Sequence, residues 1–224
     1  MNSASVASHE SRSPLTACDA PMVFVVDDDV SVRESLESLI RFAGWQPQTF
    51  ASALEFLSRP RVFVPSCLVL DVTLPDLNGL DLQKRIAAER INIPIIFITG
   101  HGDVPMTVRA MKAGAVEFLT KPYGDEVLLS AIRQAIESSC AAQRRDAGMR
   151  SIRDSYASLS RRERQVMALV VRGLLNKQVG VELGISEITV KAHRGKVMRK
   201  MKAHSLPDLV NLAARLQLAS TPNG

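Results

Sequence analysis

The sequence predicts an α/β domain built on a five-stranded, doubly wound parallel sheet, followed by a second, smaller all-α domain. Three observations predict it. Short apolar runs rich in β-branched residues alternate with helix-sized stretches up to about residue 138, the pattern of strands buried on both faces and joined by crossover helices. From Leu159 onward the pattern is wholly helical. Charge is also divided unequally: residues 21–124 carry ten basic and twelve acidic residues, residues 125–224 seventeen and nine, in a chain of 224 with net charge +5.

The first strand is read at Met22-Val23-Phe24-Val25-Val26, closed by Asp27-Asp28. A helix follows from Ser31 to Ala43, where Val32, Leu36, Leu39, Ile40 and Ala43 recur at helical spacing behind a Ser31-x-x-Glu34 capping box. Asp29, just ahead of it, reads equally well as a helix cap. The third strand is Cys67-Leu68-Val69-Leu70, closed by Asp71, and the fourth is Ile93-Pro94-Ile95-Ile96-Phe97-Ile98, closed by Thr99. The fifth, Val116-Glu117-Phe118-Leu119-Thr120, ends in Lys121-Pro122. The last helix of this domain begins near Gly124 with Val127, Leu128, Ala131, Ile132, Ala135 and Ile136 on its inner side. After Ser138 it gives way to a polar stretch, read as a linker over residues 139–158, in which Gly148 argues for a break. The expected organisation is a tail over 1–20, an α/β domain over 21–138, the linker, and an all-α domain over 159–224.

Three carboxylates, Asp27, Asp28 and Asp71, are thus expected at the ends of two buried strands, with the Thr99 hydroxyl and the Lys121 ammonium on the same rim. Ligands of such sheets bind outside the strand carboxyl ends. Carboxylates brought together there repel one another unless a hard cation with oxygen ligands, such as Mg²⁺, neutralises them. Taken singly, an Asp after a strand is more often a cap or turn residue, and a lone Thr or Lys a surface residue. The specific signal is the series, Asp-Asp, Asp, Thr and Lys-Pro, each after its own strand.

That series resembles the receiver domain of bacterial two-component response regulators, over roughly Met22 to Ile136. Pro75, four residues after Asp71, and Gly79, eight after it, match the family's loop, and Lys121-Pro122 matches its Lys-Pro, whose peptide bond is typically cis. The resemblance implies a flavodoxin-like receiver in which Asp71 is the phosphoacceptor. Asp27, Asp28, Asp71 and the backbone carbonyl of Thr73 would hold Mg²⁺, and Thr99 and Lys121 would contact the phosphoryl oxygens. Phe118 would take the aromatic switch position beside the face of fourth helix, fifth strand and fifth helix, about Val104 to Ser138, a role compatible with ordinary core packing. Thr73 and His101, two residues beyond Asp71 and Thr99, stand where the family flanks the phosphoryl group, though His101 also reads as a solvated loop histidine. The loop from Thr99 to Met106 resembles that of the NarL/FixJ subgroup.

Composition fits two compact domains, with 46% hydrophobic residues. Cys18, Cys67 and Cys140 form no metal-ligand spacing and cannot all pair within the chain, which points to a reducing, cytoplasmic setting. The first twenty residues, rich in Ser and Ala without a basic start or an apolar core, read as a disordered tail and not as a signal peptide. No segment approaches the roughly 18 consecutive apolar residues of a membrane span.

In the last domain Ser160-x-x-Glu163 is a capping box, followed by Val166, Leu169 and Val170 and ended by Gly173. A short helix from Asn176 to Leu183 stops at Gly184, and Ser186 caps a longer one reaching about Lys202, so the two form a helix-turn-helix. Projection of the second helix places Val190, Val197 and Met201 inward, with Lys191, Gly195, Met198, Arg199 and Lys202 largely opposite. The run Leu159 to Leu216 resembles the LuxR-type helix-turn-helix domain, through Leu159-Ser160-x-Arg162-Glu163, Gly173-Leu174-x-Asn176-Lys177, Leu183-Gly184-Ile185-Ser186 and Thr189-Val190-Lys191-x-His193. By that resemblance Lys191 and the exposed positions after it, Arg194 and Arg199 among them, would read the groove, and Lys177, Thr189 and Lys200 would contact phosphates. His193 falls at the edge of the inner face, where core packing is the stronger reading, and Gly195 stands where a larger residue is usual.

Together the resemblances imply a NarL/FixJ-type response regulator, phosphorylated by a sensor histidine kinase, that controls transcription. Its expected partners are double-stranded DNA, RNA polymerase and, on phosphorylation, a second copy of itself, with no membrane. Two alternatives stand beside this. Asp71-x-Thr73 is faintly similar to phosphohydrolases that use an aspartyl phosphate, but these have a second acid where Thr73 stands, so no enzyme is expected. A phosphorylation-independent DNA-binding regulator with a vestigial receiver is the other, and the complete acidic series speaks against it.

Overall fold

The computed structural model describes residues 20–60 and 62–217. The tail expected over residues 1–20 lies, except for Ala20, outside them, as does Cys18. Five strands, β1 (Met22–Val26), β2 (Gln46–Phe50), β3 (Ser66–Asp71), β4 (Ile95–Thr99) and β5 (Glu117–Thr120), form one parallel sheet in the order β2-β1-β3-β4-β5. Helices α1 (Val30–Phe42), α2 (Ala53–Ser58), α3 (Gly79–Ala88), α4 (Val104–Lys112) and α5 (Asp125–Ala157) alternate with them. This is the doubly wound arrangement that the apolar runs predict.

Strand alternation sorts the side chains into two cores. Phe24, Val26, Leu68, Leu70 and Phe97 pack against Phe56 of α2, Leu82 and Ile86 of α3 and Ala110 of α4. Val23, Val25, Val69, Ile96 and Ile98 face the other way, against Leu36 and Ile40 of α1 and Leu128, Ile132 and Ile136 of α5. Both faces being covered is why the central runs read as unbroken apolar stretches. β2, with the sequence Gln-Pro-Gln-Thr-Phe, has no such run. It pairs only with β1 at the sheet edge, where a proline costs no ladder bond.

Helix starts are made by short polar side chains. Asp29, not Ser31, caps α1: its carboxylate accepts from the Ser31 amide at 2.8 Å and from the Ser31 hydroxyl at 2.6 Å. The expected Ser31-x-x-Glu34 box is thereby corrected, because Ser31 already lies in the first turn. The same bonds hold the Asp29 carboxyl below its ordinary value. α2 is capped by Ser52 and also by Asp76, whose carboxylate accepts from the amides of Ala53 (3.3 Å) and Leu54 (2.9 Å). Gly79 opens α3 hard against the end of β3: a Cβ there would stand 2.6 Å from the Asp71 carbonyl oxygen and 3.0 Å from the Val72 Cα.

α5 does not end near Ser138 but runs on to Ala157, through Gly148, so most of the expected linker is helical. One interior glycine costs only about 0.5–1 kcal/mol relative to alanine. Flanking burial outweighs that: Met149, Ile152 and Tyr156 pack into the core of the C-terminal unit, while Ser139 accepts from the Ser66 amide at 3.1 Å in the N-terminal one. The two compact units divide between Ala142 and Gln143.

The second unit adds α6 (Arg161–Val171), α7 (Asn176–Leu183), α8 (Glu187–Lys200) and α9 (Leu206–Arg215). Its core gathers Val166, Met167, Val170, Val179, Val190, Val197, Leu209 and Ala213. The α6 capping box closes in both directions, Glu163 amide to Ser160 hydroxyl at 3.2 Å and Ser160 amide to Glu163 carboxylate at 2.8 Å. α7 and α8 form the expected helix-turn-helix, with Gly184 left-handed at the end of α7 (φ 65°). α9, absent from the expected elements, is capped by Ser205 with Pro207 in its first turn.

The glycine contacts give a direct test. Gly79→Ala is expected to destabilise the first domain in urea by about 1–3 kcal/mol, as overpacking does. Gly195→Ala, where nothing lies within 4 Å of a new Cβ, is expected to be neutral or to stabilise the second domain by up to about 1 kcal/mol. A Gly79→Ala midpoint equal to wild type would show that α3 can retreat from β3 without cost.

Candidate functional site

The topology places the first site. Strand order reverses at β1, which has β2 on one side and β3 on the other, and such a switch point opens a crevice beyond the strand ends. Val26 stands opposite Leu70 in the parallel register, so the residues that follow, Asp27 and Asp71, emerge side by side. Carboxylate oxygens of Asp27, Asp28 and Asp71 lie within 4.8 Å of one another. Asp27 is fully buried, Asp71 nearly so, and Asp28 exposed.

Lys121, carried by the end of β5 and followed by a cis Lys121-Pro122 bond, closes this cluster. Its ammonium donates to Asp27 Oδ2 and to Asp71 Oδ2, both at 2.8 Å. The remaining oxygens are held by backbone: Asp27 Oδ1 accepts from the Asp29 amide at 2.9 Å and Asp71 Oδ1 from the Thr73 amide at 2.8 Å. Burial pushes the Asp27 carboxyl up, by more than its bonds to Lys121 and Asp29 pull it down. Burial alone would lower Lys121, but its bonds to Asp27 and Asp71 outweigh that and raise it. Arg33, unremarked in the sequence, donates from one nitrogen to the carbonyls of Asp27 (2.7 Å) and Asp28 (2.9 Å) and so fixes the acidic loop from α1.

Thr99 is fully buried at the end of β4, and its carbonyl accepts from the Lys121 amide at 2.7 Å. Its hydroxyl accepts from the His101 amide at 3.2 Å, within its own loop. Phe118 is half-buried against the core, its ring 6.0 Å from that of Phe97. Gly102 sits where a Cβ would come within 3.1 Å of the Phe118 ring and 3.3 Å of the Thr99 methyl, so this loop touches both residues. His101 and Thr73 are exposed.

One ammonium between two buried carboxylates, with a third beside them, leaves an oxygen-rich, net negative crevice. Its donor set fits a hard divalent cation of the Mg²⁺ kind. A group carrying anionic oxygens would meet Lys121 there.

The second site is the outer face of α8. Lys177, Thr189, Lys191 and Arg199 are exposed, as their expected role requires. Lys191 pairs with Glu187 one turn earlier at 3.2 Å, both well exposed, and Thr189 shares a 2.8 Å bond with the Ser186 hydroxyl. Arg194 is half-buried and donates to the Asn176 side chain at 3.1 Å, tying α8 to the start of α7. His193 is half-buried, its Nδ1 shielded and without a partner, in line with packing and not base reading.

Lys200 is exposed, and its ammonium donates to Glu163 Oε2 at 2.7 Å and to the Ser158 carbonyl at 3.0 Å. Those bonds, Lys200 foremost and then the Ser160 amide, hold the Glu163 carboxyl down to about 2.

Comparison with known proteins follows the same division. Residues 23–133 match the family described as response regulator receiver domain, and residues 157–213 the bacterial regulatory proteins of the luxR family. Nodulation protein W of Bradyrhizobium diazoefficiens is 51% identical over 199 residues, 89% of this chain and 88% of that one. The transcriptional regulatory protein FixJ of Rhizobium meliloti is 46% identical over 191 residues, 85% of this chain and 94% of that one. The solved structure of the response regulator StyR superposes with a TM-score of 0.81 at 47% identity, covering 88% of this chain and 99% of that one.

The Lys200–Glu163 pair generates a pH prediction. Lys200→Met should lower the unfolding temperature of the second domain by several degrees at pH 7, on the order of 1 kcal/mol. A depressed carboxyl contributes stability that is complete above its ordinary value of 4.5 and is lost as pH falls towards about 2. The gap between variant and wild type is therefore expected to narrow as pH drops through that window. A pH-independent gap would remove the ion pair as its cause.

Proposed function

This chain belongs to the NarL/FixJ-type response regulators, a receiver domain followed by a LuxR-type DNA-binding domain, and from that premise we propose that phosphorylation of Asp71 by a sensor histidine kinase controls its binding to DNA. The observation that carries the reading is the Lys121 ammonium, 2.8 Å from both Asp27 and Asp71 at the switch point of the sheet.

In this reading the Asp71 carboxylate attacks the phosphorus of a phosphohistidine. The new bond is oxygen to phosphorus; the bond that breaks is phosphorus to imidazole nitrogen, which leaves with its electron pair. Two anions must approach for this, so catalysis is a matter of positioning and charge neutralisation. Lys121 supplies one positive charge at the right place, and the backbone bond from Thr73 orients the carboxylate. Mg²⁺, held by Asp27, Asp28, Asp71 and the Thr73 carbonyl, would supply the further positive charge when bound. The aspartyl phosphate adds anionic oxygens beside Lys121 and the Thr99 loop, so Thr99 turns its hydroxyl from His101 towards the phosphoryl group and Phe118 follows through the shared contact with Gly102.

The output is a dimer formed through the α4–β5–α5 face. Val104, Val108 and Met111 recur along α4 as exposed apolar side chains, and Val127 adds to them from α5. Two copies would set two α8 helices against half-sites about one helical turn apart, with RNA polymerase engaged at the promoter. We place the protein in the cytoplasm, with the DNA. No helix among the described residues is long and apolar enough to cross a membrane.

Incubation with a small phosphodonor and Mg²⁺ is expected to add one phosphoryl group at Asp71, found by mass spectrometry, and Asp71→Asn is expected to carry none. Comparable labelling of that variant would overturn the assignment. Asp28→Ala should weaken Mg²⁺ binding at least tenfold by calorimetry, and an unchanged affinity would take Asp28 out of the site. Sedimentation should show the phosphorylated chain as a dimer and the unphosphorylated chain as a monomer at the same concentration. A constant mass with tighter DNA binding would point to release of an inhibitory contact instead.

A further inference from the structure

The outward face of α8 carries a short apolar stripe among its basic side chains. Val190 and Val197 are buried on its inner side, and at about 100° per residue Ile188 lies roughly 160° from Val190. Ile188 is 80% exposed in the first turn of the helix. Ala192 and Gly195 continue its stripe, exposed as well, and at Gly195 nothing lies within 4 Å of where a side chain would begin. Hydrogen bonding from this face falls to Lys191, about 60° from Ile188, and to Arg199 three turns away.

We propose that Ile188 is a specificity-determining residue that packs against the 5-methyl groups of thymines in the major groove, an inference that rests on the DNA-reading function of α8. Single exposed apolar residues are common and by themselves mean little. Ile188 differs by its place. The N-terminal part of a helix-turn-helix recognition helix is the part that reaches base edges. Around it the domain is basic, with Lys177, Lys191, Lys196 and Arg199 all exposed, which matches a polyanion and disfavours an apolar protein partner at this spot. Among base edges in the major groove only thymine offers a methyl group, and aliphatic contact is how it is read. The bare backbone at Gly195 lets the helix sit close enough for that contact.

The test uses the full chain, phosphorylated with a small phosphodonor, and duplex sites selected from a random pool. Each thymine of a selected site is replaced in turn by uracil, which removes only the methyl group. Wild type is expected to lose about fourfold in affinity at one or two thymines of each half-site, the contribution of one buried methyl. Ile188→Ala, which removes an exposed side chain and leaves the core untouched, should bind the parent site more weakly and be indifferent to uracil at those positions. Ile188→Leu should restore part of the sensitivity. Selected sites without thymine at fixed positions, or uracil penalties equal in wild type and Ile188→Ala, would overturn the proposal, as would unchanged DNA binding of the variant with transcription lost, which would assign Ile188 to a protein partner. Failure to select any sequence would instead overturn the DNA-reading function, and this inference with it.

Discussion

A single ammonium standing between two buried carboxylates is the contact on which the receiver rim depends. The parallel register of β1 and β3 forces Asp27 and Asp71 together, and it cannot slip, because a shift by one residue would carry Val23 and Val25 to the opposite face. The repulsion is therefore built into the fold. Lys121 answers it from β5, two strands away from β3, and reaches the cluster because its amide is bonded to the Thr99 carbonyl at the end of the intervening strand. The loops after β1, β3 and β5 are thus joined through one side chain, and a change of charge at Asp71 bears on all of them.

The helical domain repeats the device for a different purpose. Glu163 is needed by its own backbone, as the second half of the α6 capping box, and a carboxylate so nearly buried requires a cation. Lys200 brings that cation from the end of α8, which pins the far end of the recognition helix to the start of α6. Arg194 does the same in the middle, through Asn176. Basic residues on α8 therefore differ in that Arg194 and Lys200 also hold the helix in place.

This distinction marks the limit of what the sequence discloses. Rim residues were legible because each closes an apolar run, and the runs were legible because β1, β3 and β4 are covered on both faces. β2 was not, since an edge strand needs neither an apolar run nor freedom from proline. The resemblance to the LuxR-type domain made Lys200 a phosphate contact, and neither it nor periodicity carries information about a partner 37 residues earlier on another helix. Arg33 shows no pattern at all; its role arises only because α1 begins directly after β1 and lets the side chain reach back. Asp29 and Ser31 competed as caps two residues apart, and the chain took the earlier one because the carboxylate can accept from both the amide and the hydroxyl of Ser31.

The two domains also meet phosphate in opposite ways. The receiver concentrates negative charge at its rim, where Lys121 meets the carboxylates and Arg33 only the backbone carbonyls, so in the proposed function a phosphoryl group would be admitted only under conditions that supply more positive charge. Such a site is conditional by construction. The helix-turn-helix carries exposed cations at Lys177, Lys191 and Arg199, a charge pattern that would attract a phosphate backbone without regard to sequence. Unconditional attraction cannot by itself distinguish one stretch of DNA from another. Discrimination would have to come from directed contacts, and the outer face of α8 sets Ile188, Ala192 and Gly195 beside the donors Thr189, Lys191 and Arg199.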